Sequence, residues 1–450
     1  MIDSRTIDVQ QFIDHQRFSP YQWRILIACF LLVAIDIYDN VALSFVVPVL
    51  AQDLGVAKSA FGPVMSASIF GLSIGALAAG PLFERFTPKF VMIGAMWMFG
   101  LCSFATVMAD SVTSLGVWRF LTGLGLGAAM PATATLMYEY APRRMGALLV
   151  NALCCGGMIG ASACGWAAAV MVPAYGWKSV FVLGGVLPLV LGLYMLLATP
   201  QPLHFMVQHG YPAPAIAAVL RRIAPGAALD ATRFVLEDAA PPSRGGVGLV
   251  LSKGLRIGTG MLWLGYFFAC IAYYLLLGWM PTLFQTIGAT WRQSTLMTTL
   301  LTVGGIVGTL FFGWLMDRFE KNAVIGMAFA IGGLGVWAIG QNSQDLGWVS
   351  ASIVLTGIGL SGGMASMIFL AAAFYPATAR SLGVSWMQGI GRFGGILGPI
   401  LGGVMLRENF GFDAVFNTMA VIILGAGGAV LVKRAMTRPA RVSALQSESA

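Results

Sequence analysis

Gly80-Pro81-Leu82-Phe83-Glu84-Arg85-Phe86 returns 233 residues later as Gly313-Trp314-Leu315-Met316-Asp317-Arg318-Phe319. Each copy closes an apolar run with an acid, an arginine and a phenylalanine. Other matches keep nearly the same offset. Tyr140-Ala141-Pro142 answers Tyr375-Pro376, and Gly156-Gly157 with Gly160 answers Gly394-Gly395 with Gly398. Gly176-Trp177 before Val180-Phe181 answers Gly411-Phe412 before Val415-Phe416. A repeat at a fixed offset is read before anything else, because it decides what the chain is built from. Here the chain is two copies of one unit.

Composition identifies the unit. Of 450 residues, 58% are hydrophobic and 10% charged, with a mean hydropathy of +0.82. Soluble domains carry about 25% charged residues, so a soluble enzyme is excluded. The 57 glycines lie inside apolar runs with no collagen-like period, as suits membrane helices whose backbones approach closely. A spanning helix needs about 20 apolar residues. Such runs fall near 24–50, 60–83, 90–109, 112–137, 147–171 and 177–198, then near 255–280, 294–316, 322–341, 347–373, 382–404 and 412–432. The expected fold is therefore an all-α membrane protein of twelve transmembrane helices in two pseudo-symmetric six-helix bundles. The expected organisation is a tail over 1–23, bundles over 24–198 and 255–433, a Pro-rich central loop over 199–254, and a second tail over 434–450.

An even number of spans per half makes the repeat parallel. Parallel halves are a transporter architecture with the substrate site at the midplane between them. Setting aside Arg119 and Arg392 within the spans, only Lys58, Lys178, Arg292 and Arg407 of the 26 basic residues fall on the loops opposite the termini. The positive-inside rule then puts both termini in the cytoplasm. Residues 1–23 lack an apolar h-region and are read as a tail, not a signal peptide. The net charge of +8 is scattered over short loops, which argues against nucleic acid. The six cysteines lie in spans without ligand spacing, and His15, His204 and His209 lie outside them, so no metal or other cofactor is expected.

Charges at membrane depth carry the functional reading, since each costs roughly 2.5–3.5 kcal/mol on insertion scales. Asp36 and Asp39 fall about 18–22 Å into span 1, at 1.5 Å per residue, three residues apart on one face. Burial and a like-charged neighbour both disfavour double ionisation, so such a pair can hold one proton. A structural pair with an arginine is the alternative. Arg392, with Gln388 and Ser385 on its stripe, keeps its charge and needs an anion. A substrate carboxylate or a protein carboxylate would serve. Arg119 is open to three roles: snorkelling, pairing with Asp36 or Asp39, or facing substrate. Glu139 is either a solvated helix end or one arm of a gate with Arg380, which occupies the matching end of span 10. The pairs Glu84-Arg85 and Asp317-Arg318 can latch the face that bears the termini. Tyr38, Tyr273, Tyr274 and Trp386 lie within spans 1, 7 and 11, where they can stack on an aromatic ligand or simply pack.

These segments resemble the major facilitator superfamily and, within it, the aromatic acid:proton symporters. The likeness is carried by Asp8-Val9 through Phe12-Ile13 leading to Tyr21-Gln22-Trp23-Arg24, and by Gly62-Pro63-Val64-Met65-Ser66-Ala67. It continues through Arg119-Phe120-Leu121-Thr122-Gly123-Leu124-Gly125-Leu126-Gly127, Glu139-Tyr140-Ala141-Pro142, and Gly383-Val384-Ser385-Trp386 to Gly389-Ile390-Gly391-Arg392. The family's D-G-x-D motif is met by Asp36-Ile37-Tyr38-Asp39, with Ile37 in place of glycine. Thr87-Pro88 replace the glycine and basic residue of its loop motif. The resemblance implies proton coupling at Asp36 and Asp39, and functional roles for Arg119, Glu139, Arg380 and Arg392. The expected protein is a monomeric carrier that imports an aromatic carboxylate with protons across a bacterial inner membrane. Uptake of muconate or a substituted aromatic acid is the near alternative. Drug efflux and a transport-dead sensor are the distant ones.

Overall fold

The computed structural model describes residues 6–142, 146–199, 201–225, 229, 233–236, 250–252, 254–342, 344–375 and 380–448. A short helix, α1 (Val9–His15), precedes six long ones: α2 (Pro20–Asp53), α3 (Phe61–Arg85), α4 (Pro88–Ala105), α5 (Val112–Tyr140), α6 (Gly146–Tyr175) and α7 (Lys178–Ala198). Two short helices follow, α8 (Leu203–Gln208) and α9 (Ala213–Ile223). The second half holds α10 (Arg256–Thr286), α11 (Trp291–Met316), α12 (Lys321–Gln341), α13 (Leu346–Phe374), α14 (Arg380–Arg407) and α15 (Phe412–Glu448). Eleven of the long helices are apolar and long enough to cross a bilayer. The remaining one, α5, has 29 residues and packs among them.

Local chemistry starts these helices where the sequence signals it. Ser19 accepts the Gln22 N–H while the Gln22 side chain accepts the Ser19 N–H, a reciprocal box at the head of α2. Pro20 fills the first turn, where no backbone donor is needed. Thr290 and Gln293 repeat the box at α11.

The repeat is also a packing repeat. In the first half α3 packs on α5, α2 on α6 and α4 on α7; in the second, α11 packs on α13, α10 on α14 and α12 on α15. Glycine permits the tightest of these crossings. A Cβ on Gly127 of α5 would strike the Leu72 carbonyl oxygen, and one on Gly357 of α13 would strike that of Leu301.

The halves meet chiefly along three pairs, α3 with α14, α6 with α11 and α2 with α10. Ser66 donates to the Ile396 carbonyl at 2.7 Å, and the Ser162 and Thr302 hydroxyls lie 2.7 Å apart. Gly62 seats against Pro399, and Met65 against Gly278. Ser66, in the second turn of α3, and Ile396 and Pro399, in the last turns of α14, join the halves toward the end remote from the termini.

The described parts of the N-terminal and central segments carry regular structure of their own. β1 (Thr6–Asp8) pairs in parallel with β2 (Arg233–Val235). Val9 and Ile13 of α1, Leu203 and Met206 of α8, and Ile216, Leu220 and Ile223 of α9 share one cluster with Leu136, Met137 and Tyr140 of α5. The three-residue strands and the six- and seven-residue helices are too short to register as periodicity, whereas the eleven-residue α9 does carry a helical signal, with Ile216, Leu220 and Ile223 at i, i+4 and i+7.

Candidate functional site

Asp36 and Asp39 stand one turn apart on α2, and the structure sends them to different neighbours. Asp39 meets Arg119 of α5 at 3.0 Å, with the two side chains 0% and 1% exposed. Ser103 of α4 donates to its other oxygen. The second Arg119 nitrogen donates to Thr106 at 2.8 Å and to Thr122 at 3.1 Å. The guanidinium also lies 4.9 Å from the Phe181 ring centroid of α7. One buried pair thus ties four helices of the first bundle together, and the charge on Arg119 is already matched.

Asp36 is as buried as Asp39, yet among the described residues neither of its carboxyl oxygens has a hydrogen-bond partner. A buried carboxylate without donors is expensive, whereas the neutral acid costs far less. The charges in electrostatic reach of Asp36 are Asp39 and Arg392, the latter from the opposite half.

Arg392 occupies the middle of α14. Gly395, Ile396 and Pro399 lie three, four and seven residues further on, along the same stripe. Those three contact α3 of the first half, so Arg392 faces that half too. Among the described residues its guanidinium makes no hydrogen bond or salt bridge. Gln388 and Ser385, on the same stripe, are exposed. Tyr274 of α10 lies within electrostatic reach of both Arg392 and Asp36, backs onto Gly395, and is crossed edge-on by Tyr273 at 5.6 Å. The arrangement is a carboxyl from one half and an arginine from the other, with a tyrosine in reach of both. It can bind an anion, and an aromatic ring beside it.

Two candidates stand elsewhere. The Tyr38 hydroxyl donates to the Val180 carbonyl at 3.3 Å, so its polar end is directed at α7 inside the first bundle. Trp386 lies about 120° round α14 from Arg392, at 3.6 residues per turn. It shares a stripe with the exposed Phe393, Leu397 and Val404 and stacks on Trp263 at 6.0 Å. The repeat of apolar residues at 386, 393, 397 and 404 was the available signal. Ile37, which replaces the motif glycine, fits against Gly157 of α6, where the missing Cβ leaves room.

Near the termini, Glu139 is 5% exposed and accepts the backbone N–H of His204 at 3.1 Å, which fastens α5 to α8. The side chains of Glu84, Arg85 and Arg380 lie outside the described residues. Asp317 and Arg318 are exposed, with Arg318 over the Trp314 ring at 4.2 Å. The ion pair beside them joins Glu320 to Arg434 of α15 at 2.9 Å, and Lys433 donates to Asn322 at 3.1 Å. Sequence reading passed over this pair, because its partners are 114 residues apart with no repeat linking them.

The Major Facilitator Superfamily profile matches residues 29–227 and 262–449. The chain is 40% identical over 428 residues to the 4-hydroxybenzoate transporter PcaK of Pseudomonas aeruginosa, covering 95% of this chain and 96% of that protein. It is 38% identical to the gallate transporter of Pseudomonas putida, covering 94% of each. Among solved structures, the inward-open xylose transporter XylE from E. coli superposes with a TM-score of 0.71 at 16% identity, covering 90% of this chain and 94% of that one. That likeness is one of fold.

Proposed function

This chain belongs to the Major Facilitator Superfamily, and from that premise we propose that it imports an aromatic carboxylate together with protons across the bacterial inner membrane. The names of its relatives support an aromatic acid as the cargo. One observation supports the coupling: among the described residues the first half keeps an acid, Asp36, with no hydrogen-bond partner, while the second keeps an arginine, Arg392, with no hydrogen bond or salt bridge, within electrostatic reach of it. Asp39 is already matched to Arg119.

In this reading Arg392 receives the substrate carboxylate, where a guanidinium offers paired donors in a fixed fork. Tyr274 presents a ring face or edge to the aromatic group, and Gln388 supplies a further polar contact. Asp36 takes the proton. A loaded site whose charges are neutralised crosses the apolar midplane at lower cost than one carrying an ionised acid.

Alternating access follows from rocking the two halves. The remote end is held by Ser66–Ile396, so this contact breaks when the site turns outward. The end bearing the termini is the cytoplasmic one by the positive-inside rule. There Glu84-Arg85, Asp317-Arg318, Glu139 and Arg380 close the path in the alternate state. A single chain contains both halves, so the monomer suffices.

The test is uptake of labelled 4-hydroxybenzoate into proteoliposomes under an inward proton gradient. Accumulation that a protonophore abolishes supports the proposal. Equal uptake with and without the gradient overturns it. Competition by gallate, benzoate and muconate ranks the cargo.

A further inference from the structure

Two cavities away from the central site share a wall. The first, about 650 Å³, opens where the start of α2, the end of α7 and the end of α9 converge, and its lining includes Tyr21, Arg24, Tyr194 and Arg222. No acid stands among its described lining residues. Both arginines are exposed, and neither has a carboxylate partner among the described residues. Arg222 stands 5.9 Å from the Tyr21 ring centroid. Among the described residues no carboxylate neutralises this pair of arginines, and the cavity is a cationic basin.

The second cavity is a groove, also about 650 Å³, between α2, α6 and α7. Arg24 and Tyr194 line it as well, so the basin opens directly into it. Its walls are almost wholly apolar. Its rim carries Ile27, Leu31, Ile159 and Val190, which are 43–62% exposed on spanning helices and therefore face lipid. The close crossing of Gly160 with Ala34 makes its floor. The groove runs from Arg24 to Tyr38, 14 residues of helix or about 21 Å at 1.5 Å per residue. One leaflet of hydrocarbon is about 15 Å deep, half of a 30 Å core.

A polar basin at the membrane boundary joined to an apolar trench of leaflet depth is the shape of a phospholipid. We propose that this site binds an anionic phospholipid, with its phosphate between Arg24 and Arg222 and one acyl chain along the α2–α6–α7 groove. The described lining pairs two arginines with no acid for the amine of a zwitterionic headgroup, which favours anionic lipid. Basic pockets beside membrane helices recognise anionic headgroups on this principle. A free phosphate would leave the apolar groove unused.

The experiment uses the full chain in nanodiscs of phosphatidylethanolamine containing a minor share of labelled phosphatidylglycerol, read by native mass spectrometry. The wild type is expected to retain phosphatidylglycerol above its share of the bilayer. The double variant Arg24→Gln, Arg222→Gln should retain it about 30-fold less, the factor expected for two basic side chains at a membrane surface. Ala163→Phe places a ring in the groove at an exposed position and should also release the lipid, with both arginines intact. Inorganic phosphate should not displace it. The proposal is overturned if the wild type shows no enrichment, or if the arginine variant retains as much as the wild type. Displacement by inorganic phosphate, or full retention by Ala163→Phe, also overturns it in favour of a headgroup-sized anion site.

Discussion

Asp39 is bound to Arg119 across 3.0 Å of protein interior, and Asp36, one turn away on the same helix, has no hydrogen-bond partner among the described residues. Two carboxylates that look equivalent in the sequence are therefore different objects. One is a structural counter-ion. The other is the acid to which the proposed coupling assigns the proton.

Removing either member of the buried pair strands the other charge. Breaking a buried ion pair costs about 3–5 kcal/mol, so Asp39→Asn or Arg119→Gln alone should sharply lower the melting temperature of the purified protein. The double variant strands no charge and should recover part of that loss. A double variant as unstable as the two losses combined would show that the pair is not coupled.

Asp36 tests differently. Asp36→Asn removes no hydrogen bond among the described residues, so it should melt close to the wild type while gradient-driven accumulation is lost. Exchange of internal for external 4-hydroxybenzoate should persist. A variant that accumulates normally removes Asp36 from the coupling.

Arg392 is assigned to the cargo. A hydrogen bond to a charged group contributes about 1.5–3 kcal/mol, or about 10- to 150-fold in Kd. Arg392→Gln should weaken 4-hydroxybenzoate binding by at least that range. Arg392→Lys should rescue only part, because an ammonium lacks the planar fork. Equilibrium dialysis reads both; unchanged affinity in Arg392→Gln contradicts the assignment.

Gly160 is held in place by the crossing of α2 and α6, since an added Cβ would strike the Ala34 carbonyl. Gly160→Ala should destabilise the first half by about 1–3 kcal/mol, the usual cost of overpacking. Thermal unfolding in detergent measures it. No loss would mean that the helices separate freely.

The pair of Glu320 and Arg434 gives a pH dependence. Burial pushes the Glu320 carboxyl up, but hydrogen bonds from Asn322 and Ala323 and the charge of Arg434 outweigh it, holding the group below the ordinary glutamate range. A depressed carboxyl contributes stability above the unfolded value of about 4.3 and loses it as pH falls through the folded value. The melting temperature of Glu320→Gln should therefore trail the wild type near neutrality by a small margin, as befits a solvent-screened pair. The gap should close toward pH 3.

Much of this molecule can be read from its residues. Twelve apolar runs and the recurrence of Gly80–Phe86 at Gly313–Phe319 lead to two six-helix bundles, because bilayer thickness and hydrogen-bond satisfaction leave few alternatives. Depth in the membrane singled out Asp36, Asp39, Arg119 and Arg392. Depth could not say that Arg119 turns to Asp39, since that depends on how α2 crosses α5. Nor could it bring Tyr274 within reach of both Asp36 and Arg392. Trp386 was nominated for its chemistry, although its seven-residue spacing to Phe393 already hinted at the outer stripe. For Glu139 the sequence leaves open a solvated helix end or a gate arm with Arg380; the structure seats its carboxylate on the His204 N–H, and the Arg380 side chain lies outside the described residues.

Proton movement and cargo movement can be followed together. 4-Hydroxybenzoate is added to lightly buffered proteoliposomes with no imposed gradient, and external pH is recorded as the ligand enters. For the wild type the external medium should turn alkaline in step with uptake, and for Asp36→Asn that alkalinisation should be lost. Ligand entry in the wild type without any pH change, or an undiminished pH change in Asp36→Asn, would contradict the assignment of the transported proton to Asp36.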